Sequence, residues 1–178
     1  MSELSNMEKA ANIHNTIKLL DGELQETVQS FVDFFRANDI EMGYNPDEYA
    51  DGVWRGAFVS GYMAVNSLDY MAAGTEPKSM MVWLWVDDLD ENTLDNEVRE
   101  TVWTAASCKK DKCNKDWEKC CVSKTILKKT IEKACCNQLM FVNPDGKTLE
   151  NMKKLILALK QKEAELAAEE EVQRDMKA

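Results

Sequence analysis

Apolar residues recur at three- and four-residue steps along most of this chain. Leu20, Leu24, Val28, Phe31 and Phe35 form one such series, which predicts an amphipathic helix from about residue 22 to 37. A second series runs through Val53, Trp54, Ala57, Phe58, Gly61, Val65, Leu68 and Ala72. It follows a helix-start signal, with Asn45 as N-cap, Pro46 at the first helical position and acids in the first turn. Gly74 supplies the stop. On this reading Trp54, Phe58, Val65 and Leu68 pack against the Phe31–Phe35 helix. Gly52, Gly56 and Gly61 each cost a helix roughly 1 kcal/mol relative to alanine, so they predict close approach by a neighbouring element.

"MMVWLWV" (Met80–Val86) breaks the pattern, being short and rich in β-formers; it suits a buried strand or a turn of helix. Further helices are predicted over about 93–106, 109–121, 124–138 and 148–176, with "NPDG" (Asn143–Gly146) as the turn before the last. The predicted fold class is all-α, a compact helical bundle. One helical domain covers 1–160, including a basic cysteine-bearing helical hairpin at 108–138, and 161–178 form a helical tail.

Charge sharpens this division. The 178 residues carry a net −10, yet residues 1–107 hold 20 acids and 6 bases while 108–136 hold 4 acids and 9 lysines. Binding a duplex requires neutralising its phosphates, so nucleic-acid contact is disfavoured outside the basic 108–136 segment. The amino terminus lacks a basic start followed by an apolar run, and no stretch reaches the roughly 18 apolar residues that span a bilayer. These features predict a cytoplasmic protein with no membrane partner, in a compartment where disulfides seldom persist.

Several chemistries are disfavoured. His14 is the single histidine, beside Ile13 and Ile17, which argues against Ser-His-Asp hydrolysis and paired-histidine zinc sites and predicts a partly buried structural role. Glycine-rich phosphate loops are absent. "DLDENTLDNEVR" (Asp88–Arg99) opens like a calcium loop but has Thr93 in place of the required glycine and Arg99 in place of the final acid. Its acids fit the positive end of a helix better.

All six cysteines lie between Cys108 and Cys136, in the pattern Cys-x4-Cys-x6-Cys-Cys-x13-Cys-Cys. Folded as a helical hairpin turning at Val122–Ser123, with Trp117 against Leu127 or Ile131, the segment brings Cys113 near Cys135 and Cys136. Cys120 and Cys121 then fall at the far end. Cys108, Cys113, Cys135 and Cys136 are thus the candidate zinc ligands; buried free thiols are the alternative. The regular spacing of disulfide-stapled helical hairpins is absent.

A second constellation pairs Glu23 with Glu26 and Glu48 with Asp51. Acids three apart share a helix face, so two packed helices would aim four carboxylates at magnesium. This arrangement resembles the all-α nucleoside triphosphate pyrophosphohydrolases of the MazG-like group. The resemblance implies magnesium-ligand roles for Glu23, Glu26, Glu48 and Asp51, with "KDKCN" (Lys110–Asn114) as the basic element, although it lies later than the short domain of that group allows. Set against the few catalytic residue types, the charge asymmetry and the helical tail, the favoured reading is non-enzymatic. It is a small regulatory or inhibitory protein that binds another protein, with magnesium-dependent hydrolysis or a structural zinc module as the alternatives.

Overall fold

The computed structural model describes residues 13–18, 20, 22–44, 53–66, 79–86, 89–107, 121–135 and 139–176. Helix α1 (Gly22–Ala37) comes first among the named elements. Strands β1 (Gly43–Tyr44), β2 (Val53–Phe58), β3 (Gly61–Asn66) and β4 (Ser79–Leu84) follow. Then come α2 (Asn96–Ala106), β5 (Cys121–Ile126), β6 (Lys129–Cys135), β7 (Leu139–Val142) and α3 (Gly146–Asp175). The all-α bundle is overturned: the protein is mixed α/β, with a five-stranded antiparallel sheet ordered β1-β2-β3-β4-β7 and a separate two-stranded sheet, β5-β6.

The second helix predicted from Asn45 to Gly74 is replaced by the β2–β3 hairpin over its described part. Residues at helical spacing also satisfied a period of two once a turn fell at Val59–Ser60, where Ser60 adopts a φ of 42°. Aromatic and β-branched residues fit a pleated surface, and the glycines that weaken a helix are tolerated where backbones approach closely. Gly61 shows why it must be glycine. A Cβ there would lie 2.5 Å from the Trp83 carbonyl oxygen and 2.7 Å from a Leu84 methyl.

Register sets the faces of the sheet. Phe58 lies opposite Gly61, Met63 opposite Val82, Val65 opposite Met80, and Leu84 opposite Leu139. These residues join one core with Val28, Phe31 and Phe35 of α1, Val98 and Val102 of α2, and Met152, Leu155 and Ile156 of α3. Phe58 meets Phe35 with ring centroids 4.7 Å apart, so the expected contact with α1 is present, though from a strand. Trp54 lies on β2 with its side chain outside the described set, and Leu68 lies outside the described residues. The opposite face carries a smaller apolar cluster of Ala64, Met81 and Trp83, flanked by Tyr62 stacked on Trp83 at 4.5 Å.

The helix predicted over 124–138 is also a correction. Residues 121–135 form a β-hairpin turning at Leu127–Lys128 (φ 47° and 58°), not at Val122–Ser123. Thr125, Ile126, Thr130 and Ile131 are β-branched and favour strands, while Ile126, Leu127, Ile131 and Ala134 are buried. Leu127 and Ile131, expected to meet Trp117 in a helical hairpin, are therefore interior, but in a β-hairpin. The predicted helix at 109–121, with Trp117, lies outside the described residues up to Cys120, and Cys121 opens β5.

Helix ends follow their sequence signals. Asp95 accepts a hydrogen bond from the Val98 N–H at 2.9 Å and caps α2; Asp145 does the same for α3 through Thr148 N–H at 2.7 Å. Asp90 caps a short 3-10 turn at Glu91–Thr93. The calcium-like loop thus ends in caps. At the other end of α1, Ile40 N–H bonds the Phe35 carbonyl and Asp39 N–H bonds Arg36, with Asp39 at φ 49°. This is a Schellman closure.

Candidate functional site

The long helix α3 has two unlike halves. Its first half is core: Leu149, Met152, Leu155, Ile156 and Leu159 are buried, and Asn151 donates to the Thr101 hydroxyl at 2.9 Å. Lys160 then reaches back to the end of α1, its ammonium donating to the carbonyls of Asn38 at 2.5 Å and Asp39 at 3.2 Å. A cation there meets the negative end of the α1 dipole. Further along the helix, the Ser60 hydroxyl donates to Glu163 at 2.6 Å.

Beyond that point every residue from Glu163 to Met176 is exposed. Leu166 is 39% exposed, Val172 58% and Met176 74%, although each is apolar. Around them stand Glu163, Glu165, Glu169, Glu170, Glu171 and Asp175 against the single basic residue Arg174. The projecting half is therefore an acidic helix with three apolar side chains in water. Of the helical tail expected at 161–178, residues 161–175 belong to α3.

A second surface belongs to the β5–β6 hairpin and α2. The Trp103 indole N–H donates to the Ile126 carbonyl at 2.9 Å, and Lys129 sits over the Trp103 ring at 4.2 Å. Lys128 bonds Glu91 at 2.7 Å, and Lys129 approaches Glu100 at 4.0 Å. These lysines thus meet acids of the same chain, which spends part of the basic island on the protein's own surface. Such exposed pairs, screened by water, contribute little to stability.

The predicted site residues fall as follows. Glu23 and Glu26 lie exposed on α1, while Glu48 and Asp51 lie outside the described residues. The packed second helix that would have carried those carboxylates continues instead as strand β2 from Val53. Cys108, Cys113 and Cys136 lie outside the described residues; Cys135 closes β6, directly opposite Cys121. That pairing reverses the expected geometry, in which Cys121 stood at the far end of a helical hairpin. Among the described residues no group of three or more His, Cys, Asp or Glu gathers as a metal site, and no helix is long and apolar enough to cross a membrane. His14 is exposed while Ile13 and Ile17 are buried, so its expected partial burial is corrected. Comparison with protein families, curated proteins and solved structures finds no match for this chain.

Proposed function

We propose that this is a non-enzymatic cytoplasmic protein that regulates another protein by binding it through the projecting half of α3. The exposure of residues 163–176 carries this reading. The packed first half of α3 supplies the helix nucleus, so the exposed half is presented already formed and has less conformational entropy to lose on docking. Leu166, Val172 and Met176 supply apolar anchors, and the surrounding acids select a partner whose groove is rimmed by Lys or Arg.

The test compares immobilised full-length protein with two derivatives, a Leu166→Glu/Val172→Glu variant and a chain ending at Gln161. Each is first shown to keep the thermal midpoint of the body. A protein from the native source that binds the full chain directly and saturably, loses affinity for both derivatives by about tenfold or more, and binds more weakly as salt rises supports the reading. A bound set identical for all three rejects it.

A further inference from the structure

The two halves of α3 differ in charge as well as in burial. The packed half, residues 146–162, holds Lys147, Lys153, Lys154, Lys160 and Lys162 against the single acid Glu150. The projecting half, residues 163–176, reverses this, with six acids against Arg174. The helix is thus a rod roughly 45 Å long, basic at one end and acidic at the other.

An apolar ridge runs along its outer side. At about 100° per residue, Leu157, Ala164, Ala168 and Val172 fall within about 80° of arc, away from the buried Met152, Ile156 and Leu159. Leu157 is 40% exposed, and the two alanines and Val172 are exposed as well. Larger side chains stand at the two ends of the ridge and small ones at its centre, where a second helix can approach closely.

We propose that two copies of this chain pair through α3 in antiparallel orientation, about a two-fold axis between Ala164 and Glu165. A two-fold interface is self-complementary, so this axis sets Leu157 of each copy against Val172 of the other. Gln161 then meets Ala168. The same register brings Lys154 of one copy level with Asp175 of the other, and Lys160 within a turn of Glu171. A parallel pair would instead stack acidic tail on acidic tail. Complementary charge fixes orientation in this way more than it adds affinity.

The groups required are available. Glu169, Glu171 and Asp175 have no side-chain partner among the described residues. Lys154 meets Asp95 at 2.9 Å in an exposed pair, of the weak kind that a second acid can share. Lys160 uses two of its N–H groups on the α1 carbonyls, and an ammonium has one more. At the axis Glu165 faces its own counterpart, each with Lys162 at 3.8 Å to offset the repulsion. This pairing needs no other protein and does not rest on the partner-binding reading, but it would cover Val172 and so compete with it.

Sedimentation equilibrium of the purified full-length chain, in reducing buffer at low and high salt, tests this. The expected result at low salt is a reversible dimer of the 20.3 kDa chain, weakening as salt screens the paired charges. Leu157→Glu and, separately, Glu171→Lys/Asp175→Lys should each raise the dissociation constant about tenfold or more at an unchanged thermal midpoint. Leu157 lies outside the projecting half, so its replacement separates self-pairing from capture of another protein. Should that change lower the midpoint, the tail variant decides, because both of its sites lie in the exposed half. Carbodiimide coupling of mixed light and isotope-labelled chains should give mixed-isotope links from Lys154 or Lys160 to the 169–175 segment. A chain that stays monomeric at low salt, a dimer that the tail variant leaves intact, or mixed-isotope links that leave α3 out would overturn the proposal.

Discussion

Trp103 and Ile126, 23 residues apart in sequence, are joined by the indole N–H donating to the Ile126 carbonyl at 2.9 Å. This bond fixes the hairpin tip on α2. Trp103→Phe keeps an aromatic ring for Lys129 but removes the donor. It should lower stability by about 1 kcal/mol, the net worth of one such bond. Urea unfolding measures it, and an unchanged midpoint would show that the bond adds nothing.

Asn151 is one of two buried polar side chains in the described core, and it bridges α3 to α2 through Thr101 and the Glu97 carbonyl. Asn151→Ala should cost about 1 kcal/mol, because it removes two part-buried hydrogen bonds that join the helices. Removing both members of the pair, as Asn151→Leu/Thr101→Val, should cost less than the sum of the two single changes. Strictly additive losses in a double-mutant cycle would mean the pair is not coupled.

Gly61→Ala should be destabilising by about 1–3 kcal/mol, since the added Cβ meets the Trp83 backbone at 2.5 Å and a backbone atom cannot step aside. Calorimetry decides the matter; a variant as stable as wild type would rule out the close approach.

Acid should weaken the fold through its helix caps. The Val98 N–H, and then the Lys154 ammonium, hold the Asp95 carboxyl below its ordinary range, and Thr148 does the same for Asp145. Folding thus lowers both pKa values. Each carboxylate favours the native state above the unfolded value of about 3.9, and that contribution is lost as pH falls through the lower folded value. The thermal midpoint of wild type should therefore drop below about pH 4. Asp95→Asn keeps a capping oxygen without the titration and should show a smaller drop. Parallel pH profiles for the two proteins would refute the role of Asp95.

The helices were legible in sequence because each carried a stripe and terminal signals. Gly22–Ala37 matches the expected span, and the expected helices near 93–106 and 148–176 correspond to Asn96–Ala106 and Gly146–Asp175. The strands hid behind spacing. Ile126, Leu127, Ile131 and Ala134 fit a helical face, yet they line the inside of a hairpin. Leu127 and Lys128 turn the chain with positive φ although neither is Gly, Asn or Asp, the residues that normally announce such a turn. The enrichment in β-branched residues on both sides was the available signal. The Cys121–Cys135 rung was illegible for a different reason, since a bulge that shifts register by one residue leaves no periodic trace.

Strand β7 completes the main sheet beside β4, and its rungs join Met81 to Val142 and Leu84 to Leu139. Loop closure across so much intervening chain carries a larger entropy cost than folding the adjacent β2–β3 hairpin, whose partners meet across a two-residue turn. The β7 rung should accordingly form late and open early. Hydrogen exchange at residues 139–142 faster than at 61–66 would show that order. When β7 leaves, the exposed edge is "SMMVWL" (Ser79–Leu84), a stretch of β-forming apolar residues without a charge or a proline. Self-association on mild heating should then track the lifetime of that edge rather than global unfolding, because all six residues are buried in the native sheet and leave no position for a charge to guard it.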